Sequence, residues 1–378
     1  MLKSHRVRFM ACLLALVFAG CNAEFGDAPD GAPTNYPAGF AQNGQFPTLE
    51  ASNGARTNSV SEATLGAAAS LEADANDAQD PDGQPNLSPS NTDSDDGLLG
   101  LTVVLTSIPP PAAIQVQAQG GTGGDFFLNV LIDLNLDGKW GGQGANGEPE
   151  WAVQNLPATV PPSAATTINS SPFPFANGFV FPDGAWMRVA LTGEQIPGPD
   201  WDGTGEFASG EIEDHMIRLP IVNGKKVAIP LMQCPSRVSF QGMPTVLFPC
   251  VIFNFGPAGQ VAYSLTRANG GVMVVGPPID PNPGQFAAPA GALGLNFPTV
   301  LWFTARRALP LPSDWTYTAR GVDPPTQVDA QGVTIGYDDS AGTVTFVDEP
   351  LEEPWPDIFP QQPPENAQPV GQPLEQGQ

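Results

Sequence analysis

The chain has 378 residues, 41% of them hydrophobic, and its 42 glycines and 43 prolines make up close to a quarter of it. This composition favours short strands joined by many turns over a helical bundle or a disordered chain, and the length allows two domains with tails. The formal net charge is -25. Such a charge repels nucleic acid phosphates and attracts divalent cations, so we expect no nucleic-acid partner.

Residues 1–20 have the features of a signal peptide. Three basic residues precede an apolar stretch, residues 9–18, that is too short to span a bilayer. The Ala-Gly-Cys sequence that ends at Cys21 resembles the lipobox of bacterial lipoproteins, in which the cysteine is lipidated. We therefore expect a cell-envelope protein whose membrane partner is reached through a lipid on Cys21, at the outer membrane or cell surface. Ordinary secretion is the alternative.

Two cysteines, Cys234 and Cys250, remain for the folded body of the chain. A cysteine pair in an exported protein is most simply a disulfide, because the bond persists in an oxidising compartment. Closing a loop of about 15 residues would contribute roughly 3 kcal/mol in the chain-entropy description.

Composition divides the remaining chain into four parts. Residues 21–97 are polar and acidic, and Glu24 to Gly97 contains 13 acidic residues balanced by Arg56 alone. Residues 98–222 and 227–348 alternate apolar and polar positions and predict two β-sandwiches, the second immunoglobulin-like because of its seven or eight short strands. Residues 349–378 are rich in proline, glutamine and glutamate, which predicts a disordered tail.

The predicted strands are separated by proline and glycine turns, and no stretch shows sustained helical periodicity. For the first sandwich they are Leu101–Thr106, Ile114–Gln119, Phe126–Ile132, Ala185–Thr192 and Glu211–Leu219. For the second they are Arg237–Phe240, Phe248–Phe253, Val261–Arg267, Val272–Val275, Thr299–Arg306, Trp315–Arg320, Val333–Tyr337 and Thr343–Val347.

One short loop carries the clearest metal-binding pattern. Asp133, Asn135 and Asp137 alternate with leucines and end on Gly138, which places three oxygen-bearing side chains around a sharp turn. The Lys139 carbonyl is a candidate fourth ligand. A full EF-hand is excluded because its twelfth position is a glycine here. An acidic β-turn without an ion remains the alternative interpretation.

Further carboxylates are candidates to complete such a calcium site. After the glycine-rich insert these are Glu148 or Glu150, and from a later strand they are Glu211, Glu213 or Asp214.

Catalytic patterns are weak. His215 is the only histidine outside the N-terminal segment, and we interpret it as an ordinary strand residue. Glu211 and Glu213 are two residues apart on one strand, a spacing that fits metal ligands or a solvated edge better than the opposed acids of a glycosidase. Aromatic residues in the second sandwich, Trp302 and Trp315 among them, allow a carbohydrate-binding surface, although core packing is the commoner role.

Several short motifs occur in a fixed order over residues 24–220. They are Glu24–Asp30 (Glu-Phe-Gly-Asp-Ala-Pro-Asp), Asn53–Arg56, Asp82–Pro85, the acidic group at Asp93–Gly97, Asp133–Trp140 and Gly210–Asp214. Together they resemble the GEVED domain, a module of exported bacterial proteins, whose signature is matched by Gly210–Asp214 with Ile212 for valine. The resemblance implies a β-sandwich of surface or secreted proteins, often beside adhesion-type domains, and no assigned reaction. It also implies that part of the acidic N-terminal stretch is structured.

Together these observations predict a non-catalytic lipoprotein of the cell envelope with a structural calcium ion, acting in adhesion or in interaction with another envelope component. Its partner is an unidentified protein or glycan. An accessory carbohydrate-binding protein is the alternative, and a carboxylate-dependent glycoside hydrolase is the third possibility.

Overall fold

The computed structural model describes residues 23–69, 71–75, 97–107, 109–143, 147–175, 184–219, 221–222, 225–275, 284–288, 298–322, 335–356, 358–360 and 362. Apart from one 3-10 turn, Glu50–Ser52, the regular structure of these residues is all β, which confirms the predicted fold class. No helix among them is long and apolar enough to cross a membrane. The predicted signal peptide, Cys21 and the acidic residues 76–96 lie outside the described residues.

The acidic N-terminal stretch forms short strands that pack on the first sandwich. They are β1 (Glu24–Phe25), β2 (Asp30–Pro33), β3 (Asn43–Gln45), β4 (Arg56–Thr57) and β5 (Ala63–Leu65). Phe25, Tyr36, Phe46 and Leu65 are buried. These large apolar side chains therefore anchor the stretch, in agreement with the expectation that part of it is structured.

The next strands build the first sandwich. They are β6 (Leu98–Val103), β7 (Pro111–Gly120), β8 (Gly124–Ile132), β9 (Trp151–Val160), β10 (Ala165–Asn169), β11 (Phe173–Pro174), β12 (Trp186–Thr192), β13 (Glu206–Phe207) and β14 (Gly210–Met216). One sheet is antiparallel in the order β14-β12-β8-β9. In the other, β7 pairs with β5 and β6 and also with β10 and β11.

The two sheets share one hydrophobic core. Ile114 and Val116 of β7 are buried together with Leu128 and Val130 of β8 and Val189 of β12. Each such side chain contributes about 1.5–3 kcal/mol when it leaves water. A third, small sheet in the order β1-β4-β13 attaches the N-terminal stretch to this sandwich.

Strands β9 and β10 were not among the predicted ones. Pro157 and a positive φ at Asn155 interrupt the apolar alternation of β9. Because β9 is an edge strand of its sheet, proline is tolerated there.

A short hairpin, β15 (Ile221–Val222) with β16 (Lys225–Lys226), leads to the second sandwich. Its strands are β17 (Pro230–Gln233), β18 (Arg237–Ser239), β19 (Thr245–Asn254), β20 (Gly259–Arg267), β21 (Met273–Val275), β22 (Gly284–Ala288), β23 (Thr299–Arg306), β24 (Ser313–Gly321) and β26 (Ser340–Val347). Between the last two lies β25 (Ile335–Tyr337).

The sheet orders of this sandwich are β17-β19-β23-β21 and β18-β26-β24-β20-β22. The strands of the first sheet and the first four of the second correspond to A-B-E-D and A′-G-F-C of immunoglobulin domains, which supports the predicted immunoglobulin-like sandwich. The edge strand β22 pairs with β20 but follows β21 in the chain, so it does not correspond to C′, which precedes D in that fold. Phe248, Phe303, Tyr263 and Phe346 form its aromatic centre, with ring centroids 5.3–5.9 Å apart between neighbours.

Strand β25 is an exception to the predicted domain assignment. It lies in the chain between two strands of the second sandwich, yet it pairs in parallel with β6 of the first. The hydroxyl of Tyr337 donates to the carbonyl of Ala228, 3.2 Å away. The two sandwiches are thereby joined through main-chain pairing as well as side-chain packing.

The beginning of the predicted tail is ordered, which corrects the expectation of disorder from Glu349 onwards. Phe359 is buried in the core of the first sandwich, and Trp355 packs against both cores. The indole N–H of Trp355 donates to the carbonyl of Arg237, 3.1 Å away. The packing of these two aromatic side chains thus orders a proline-rich segment whose polar composition predicted disorder. Residues 363–378 lie outside the described part of the chain.

Candidate metal centre

The acidic loop after β8 is shaped by its leucines. Leu134 and Leu136 are buried, and of the alternating polar residues Asp133 is buried as well, Asn135 is half-buried and Asp137 is exposed. Leu136 and Gly138 both have positive φ, 59° and 84°, which bends the backbone back on itself. The amide of Asp133 donates to the carbonyl of Trp186 at 3.1 Å, which ties the start of the loop to β12.

The loop oxygens accept hydrogen bonds from the loop's own backbone. The two carboxylate oxygens of Asp133 accept from the amides of Asp137 and Gly138 at 3.1 and 2.9 Å. The amide oxygen of Asn135 also accepts from Asp137, at 2.8 Å. The phenol of Tyr36 donates to the Oδ2 atom of Asp133 at 2.9 Å. The turn is therefore held in one conformation by oxygens of the type that Ca²⁺ prefers.

Glu150 brings a third carboxylate to this loop. Its main chain lies beside the loop, with its carbonyl accepting from Ile132 at 2.9 Å. Its side chain is buried, and the Oε1 atom has no hydrogen-bond partner. Burial, followed by the negative charges of Asp133 and Asp137, raises the pKa of Glu150 to about 8. The backbone amides of Asn135 and Leu134 donate to the same carboxyl group and oppose this rise, so the unmet hydrogen-bonding capacity of Glu150 is confined to its Oε1 atom.

Asp133 is affected in the same way. Burial raises its pKa to about 7, although the hydrogen bonds from Tyr36 and the loop amides oppose that rise. Like charges at close range destabilise the ionised forms of both groups, and a divalent cation between them would reverse this effect.

The remaining predicted ligands near the loop differ in their surroundings. The ammonium of Lys139 is exposed and lies 3.8 Å from Asp137. Glu148 is buried. Within the described part of the chain, no group of three or more His, Cys, Asp or Glu side chains is arranged to hold a metal ion by itself. A cation in this loop would therefore use the amide oxygen of Asn135 and main-chain carbonyls together with the carboxylates.

The closing strand β14 directs its carboxylates to other partners. Asp214 forms a buried ion pair with Arg188 and accepts from the amide of Ala28 at 2.8 Å. Glu211 accepts from the amide of Leu65, and Glu213 accepts from the amide of Gly97 at 2.9 Å. The structure thus places these three predicted ligands against the N-terminal stretch and the start of β6.

Arg188 is a central residue that the sequence reading did not identify. Its guanidinium donates to two main-chain carbonyls, those of Pro47 and Gly203, each at 2.8 Å, and to the hydroxyl of Thr48 at 3.0 Å. It also lies over the ring of Trp140, 4.4 Å from the centroid. The sequence feature that could have identified it is a single arginine within a run of apolar residues, because a buried charge requires an ion-pair partner.

Glu211 and Glu213 belong to a second group of acidic residues, together with Glu24 and Glu72. Glu24 accepts from the amide of Ile212 at 2.6 Å. Burial raises the pKa of Glu24 well above its ordinary value, and the charges of Glu211, Glu72 and Glu213 add to that rise. His215 is also close, with its Nε2 atom 3.2 Å from Glu213.

The structure confirms the predicted disulfide. Cys234 and Cys250 are bonded, with their Cα atoms 4.3 Å apart. The bond links the end of β17 to its neighbour β19, whereas the disulfide of antibody domains joins the two sheets. It indicates that the protein folds in an oxidising, extracytoplasmic compartment.

The aromatic residues considered for carbohydrate binding are buried. Trp302, Phe303, Trp315 and Tyr317 are all at most 9% exposed, and all but Trp302 belong to the core of the second sandwich. They present no aromatic platform to solvent.

Comparisons with known proteins add little. No known protein family matches the chain, and no curated protein matches it. Among solved structures, a BSP domain of a biofilm-associated protein is similar, with 10% sequence identity over 69% of this chain and 53% of that chain, and a TM-score of 0.17. This chain thus spans about half the length of that protein, and a TM-score this low carries no inference.

Proposed function

We propose that this chain is a non-catalytic module of the bacterial cell envelope, anchored by a lipid on Cys21 and stabilised by Ca²⁺ in the Asp133 loop. Its role is to hold a rigid, acidic β surface outside the cell for adhesion or for contact with other envelope proteins. The disulfide between Cys234 and Cys250 supports the exported location. The net charge of -25 supports a soluble surface that recruits divalent cations.

The observation that carries the calcium role is the buried Oε1 atom of Glu150, which has no hydrogen-bond partner. It is next to a turn whose Asp133, Asn135 and Asp137 side chains already have oxygens in place. Ca²⁺ takes six to eight oxygens at 2.3–2.6 Å and would compensate the charges of all three carboxylates. The side chains of this set and the main-chain carbonyls of the turn supply ligands of the appropriate class.

A non-catalytic role is supported by the surroundings of Glu211 and Glu213, the two carboxylates considered for glycoside hydrolysis. Glu211 is 2% exposed, and both it and Glu213 accept hydrogen bonds from backbone amides of packed segments. A glycosidase needs two acids facing each other across an open cleft that admits a sugar ring. Glu211 and Glu213 therefore have the surroundings of structural residues and not those of a catalytic pair.

The calcium role is tested by thermal unfolding of the full chain, in chelator and in millimolar calcium. Calcium should raise the unfolding temperature of the wild type, and at about 100 times the dissociation constant the gain is about 2.7 kcal/mol. Glu150→Gln should lose most of this gain, because the amide is neutral. Glu349→Gln, the same change at an exposed residue just after β26 of the second sandwich, is the matched control. Equal calcium shifts in the wild type and Glu150→Gln would overturn the loop as the site.

The surface role is tested in cells. The wild type and Cys21→Ser, expressed with the native leader, should differ in membrane retention, and only the retained form should support cell attachment. Retention of Cys21→Ser at the wild-type level would remove the lipid anchor from the proposal. Unchanged attachment of cells that lack the protein altogether would remove the adhesion role.

A further inference from the structure

One end of the second sandwich exposes three large apolar side chains. Met243, Met273 and Leu309 are 51%, 56% and 75% exposed, and they are three of the seven exposed large hydrophobic residues in the described part of the chain. Met243 precedes β19, Met273 begins β21 and Leu309 lies between β23 and β24. Single exposed apolar residues are common on folded proteins, but a group of them indicates an interaction site.

Main-chain hydrogen bonds join the three segments that carry these side chains. The amide of Arg307 donates to the carbonyl of Pro244 at 2.8 Å, and the amide of Gly271 donates to the carbonyl of Pro310 at 3.1 Å. The segments and the end of β26 form one surface, which we call the distal tip, residues 240–244, 267–273, 306–314 and 347–349. Because its backbone is already fixed, binding at the distal tip would cost little conformational freedom.

The distal tip lies at the end of the second sandwich that is away from the first. Strand β24 begins at the tip and ends at Gly321, where a Cβ atom would lie 2.6 Å from the hydroxyl of Tyr337. Tyr337 belongs to β25, which pairs with the first sandwich. The nine residues of β24 therefore separate the tip from this junction by about 25–30 Å, and the junction leaves the tip uncovered.

The distal tip is electrically neutral, whereas the whole chain has a net charge of -25. It contains three arginines and three acidic residues, which are Arg267, Arg306, Arg307, Asp314, Asp348 and Glu349. Arg307 forms an ion pair with Asp348 within the tip. Two copies of an acidic protein repel each other wherever their acidic surfaces approach. This repulsion is weakest where the local charges cancel, which is the case at the distal tip.

We propose that the distal tip binds the distal tip of a second copy of this chain around a two-fold axis. The contact removes the exposed methionine and leucine side chains of both copies from water, which favours association. A two-fold axis pairs a surface with itself, so that surface must be self-complementary. A tip with equal numbers of both charges meets this requirement, and an acidic surface does not. The contact involves the second sandwich alone and depends on neither the calcium loop nor the lipid anchor.

Sedimentation equilibrium of the full chain tests the contact, with Cys21→Ser in every sample so that no lipid causes association. The chain with an unaltered tip should give monomers and dimers without larger species, because a two-fold contact occupies the whole tip. Leu309→Glu should weaken dimerisation at least about tenfold, since it removes apolar contact and places like charges together. Leu99→Glu, the same change at a 42% exposed leucine of β6, is the matched control and should leave dimerisation unchanged.

A second variant, Met243→Glu, changes a different loop of the distal tip and should weaken dimerisation as Leu309→Glu does. Both residues are exposed, so the unfolding temperatures of the two variants should match that of the control. A chain that stays monomeric up to about 1 mM would overturn the proposal. Equal dimerisation in both variants and the control would also overturn it, because the dimer contact would then lie elsewhere.

Two further results would assign the distal tip to a different occupant and thereby overturn the proposal. Oligomers larger than dimers require the tip to contact a different surface of the next copy. A monomer that floats with phosphatidylcholine vesicles, and no longer does so as Leu309→Glu, would identify a lipid bilayer as the occupant.

Discussion

Arg188 of β12 and Asp214 of β14 are directly opposite each other and form a fully buried, bidentate ion pair. The Nε atom of Arg188 donates to Oδ1 of Asp214 at 2.7 Å, and Nη2 donates to Oδ2 at 2.6 Å. Because Asp214 also accepts from Ala28, and Arg188 donates to Pro47 and Gly203, the pair joins distant segments of the chain. The last residue of the Gly210–Asp214 motif thus has a structural role. It fixes the N-terminal stretch on the sandwich.

Breaking this pair should be costly. Asp214→Asn keeps the side-chain shape but leaves Arg188 buried without a counter-charge, and we expect a loss of about 3–5 kcal/mol in the free energy of unfolding. Urea unfolding measures it. The matched control is Glu206→Gln, which breaks the more exposed pair with Arg56 and should cost no more than about 1 kcal/mol. Similar losses in both variants would contradict the role assigned to Asp214.

Gly26 tests the same region without changing a charge. A Cβ atom at Gly26 would lie 2.3 Å from Asp214 Oδ2 and 2.9 Å from a guanidinium nitrogen of Arg188. Gly26→Ala should therefore separate the N-terminal stretch from the ion pair, lower the unfolding temperature and speed proteolysis of that stretch. Gly124→Ala is the control, since its Cβ would meet only ordinary contacts from 3.5 Å outwards. Unaltered proteolysis of Gly26→Ala would contradict this explanation.

Tyr36, from the N-terminal stretch, stabilises the acidic loop through its hydroxyl. Its hydroxyl donates to Asp133 and accepts from the amide of Trp186 at 3.1 Å. Tyr36→Phe leaves a buried amide and a buried carboxylate oxygen each short of one partner, and we expect a loss of about 1–3 kcal/mol. Tyr337→Phe removes one hydroxyl bond to a carbonyl and should cost less. Denaturant unfolding of both variants gives the comparison, and the reverse ranking would argue against this role of Tyr36.

The disulfide should stabilise the second sandwich. Replacing both Cys234 and Cys250 by alanine should cost about 3 kcal/mol, because the unfolded chain regains the freedom of the closed loop. Reductant should lower the unfolding temperature of the wild type and leave the double variant unchanged. An unfolding temperature of the wild type that is insensitive to reductant, after complete reduction is verified, would contradict the prediction.

The first part of the C-terminal tail should contribute to stability and the last part should not. Truncation after Pro350 removes buried Phe359 and the Trp355 bond, and the loss of Phe359 burial alone amounts to about 1.5–3 kcal/mol. Truncation after Gln362 keeps both residues and serves as the control. Calorimetry compares the stabilities of the two truncated chains. Equal stabilities would mean that residues 351–362 do not stabilise the fold.

Local patterns in the sequence were sufficient for much of the fold. Alternation of apolar and polar residues predicted most strands of both sandwiches, since one face of each strand packs inward. Val261, Tyr263 and Leu265 are buried on one face of β20 as this pattern requires. Where the alternation was interrupted, as at Asn155 and Pro157 in β9, the strand was missed although the structure contains it.

The acidic loop and the carboxylates of β14 show what the sequence by itself determined and what the tertiary structure decided. The spacing of Asp133, Asn135 and Asp137 sets the local turn, because its hydrogen bonds link residues at most five positions apart. Only the packing of the sheets decided that Glu150 faces this turn, whereas Glu211, Glu213 and Asp214 face Leu65, Gly97 and Arg188. Such contacts between different segments, up to 146 positions apart for Leu65 and Glu211, depend on strand order and register, which alternation along one segment does not encode.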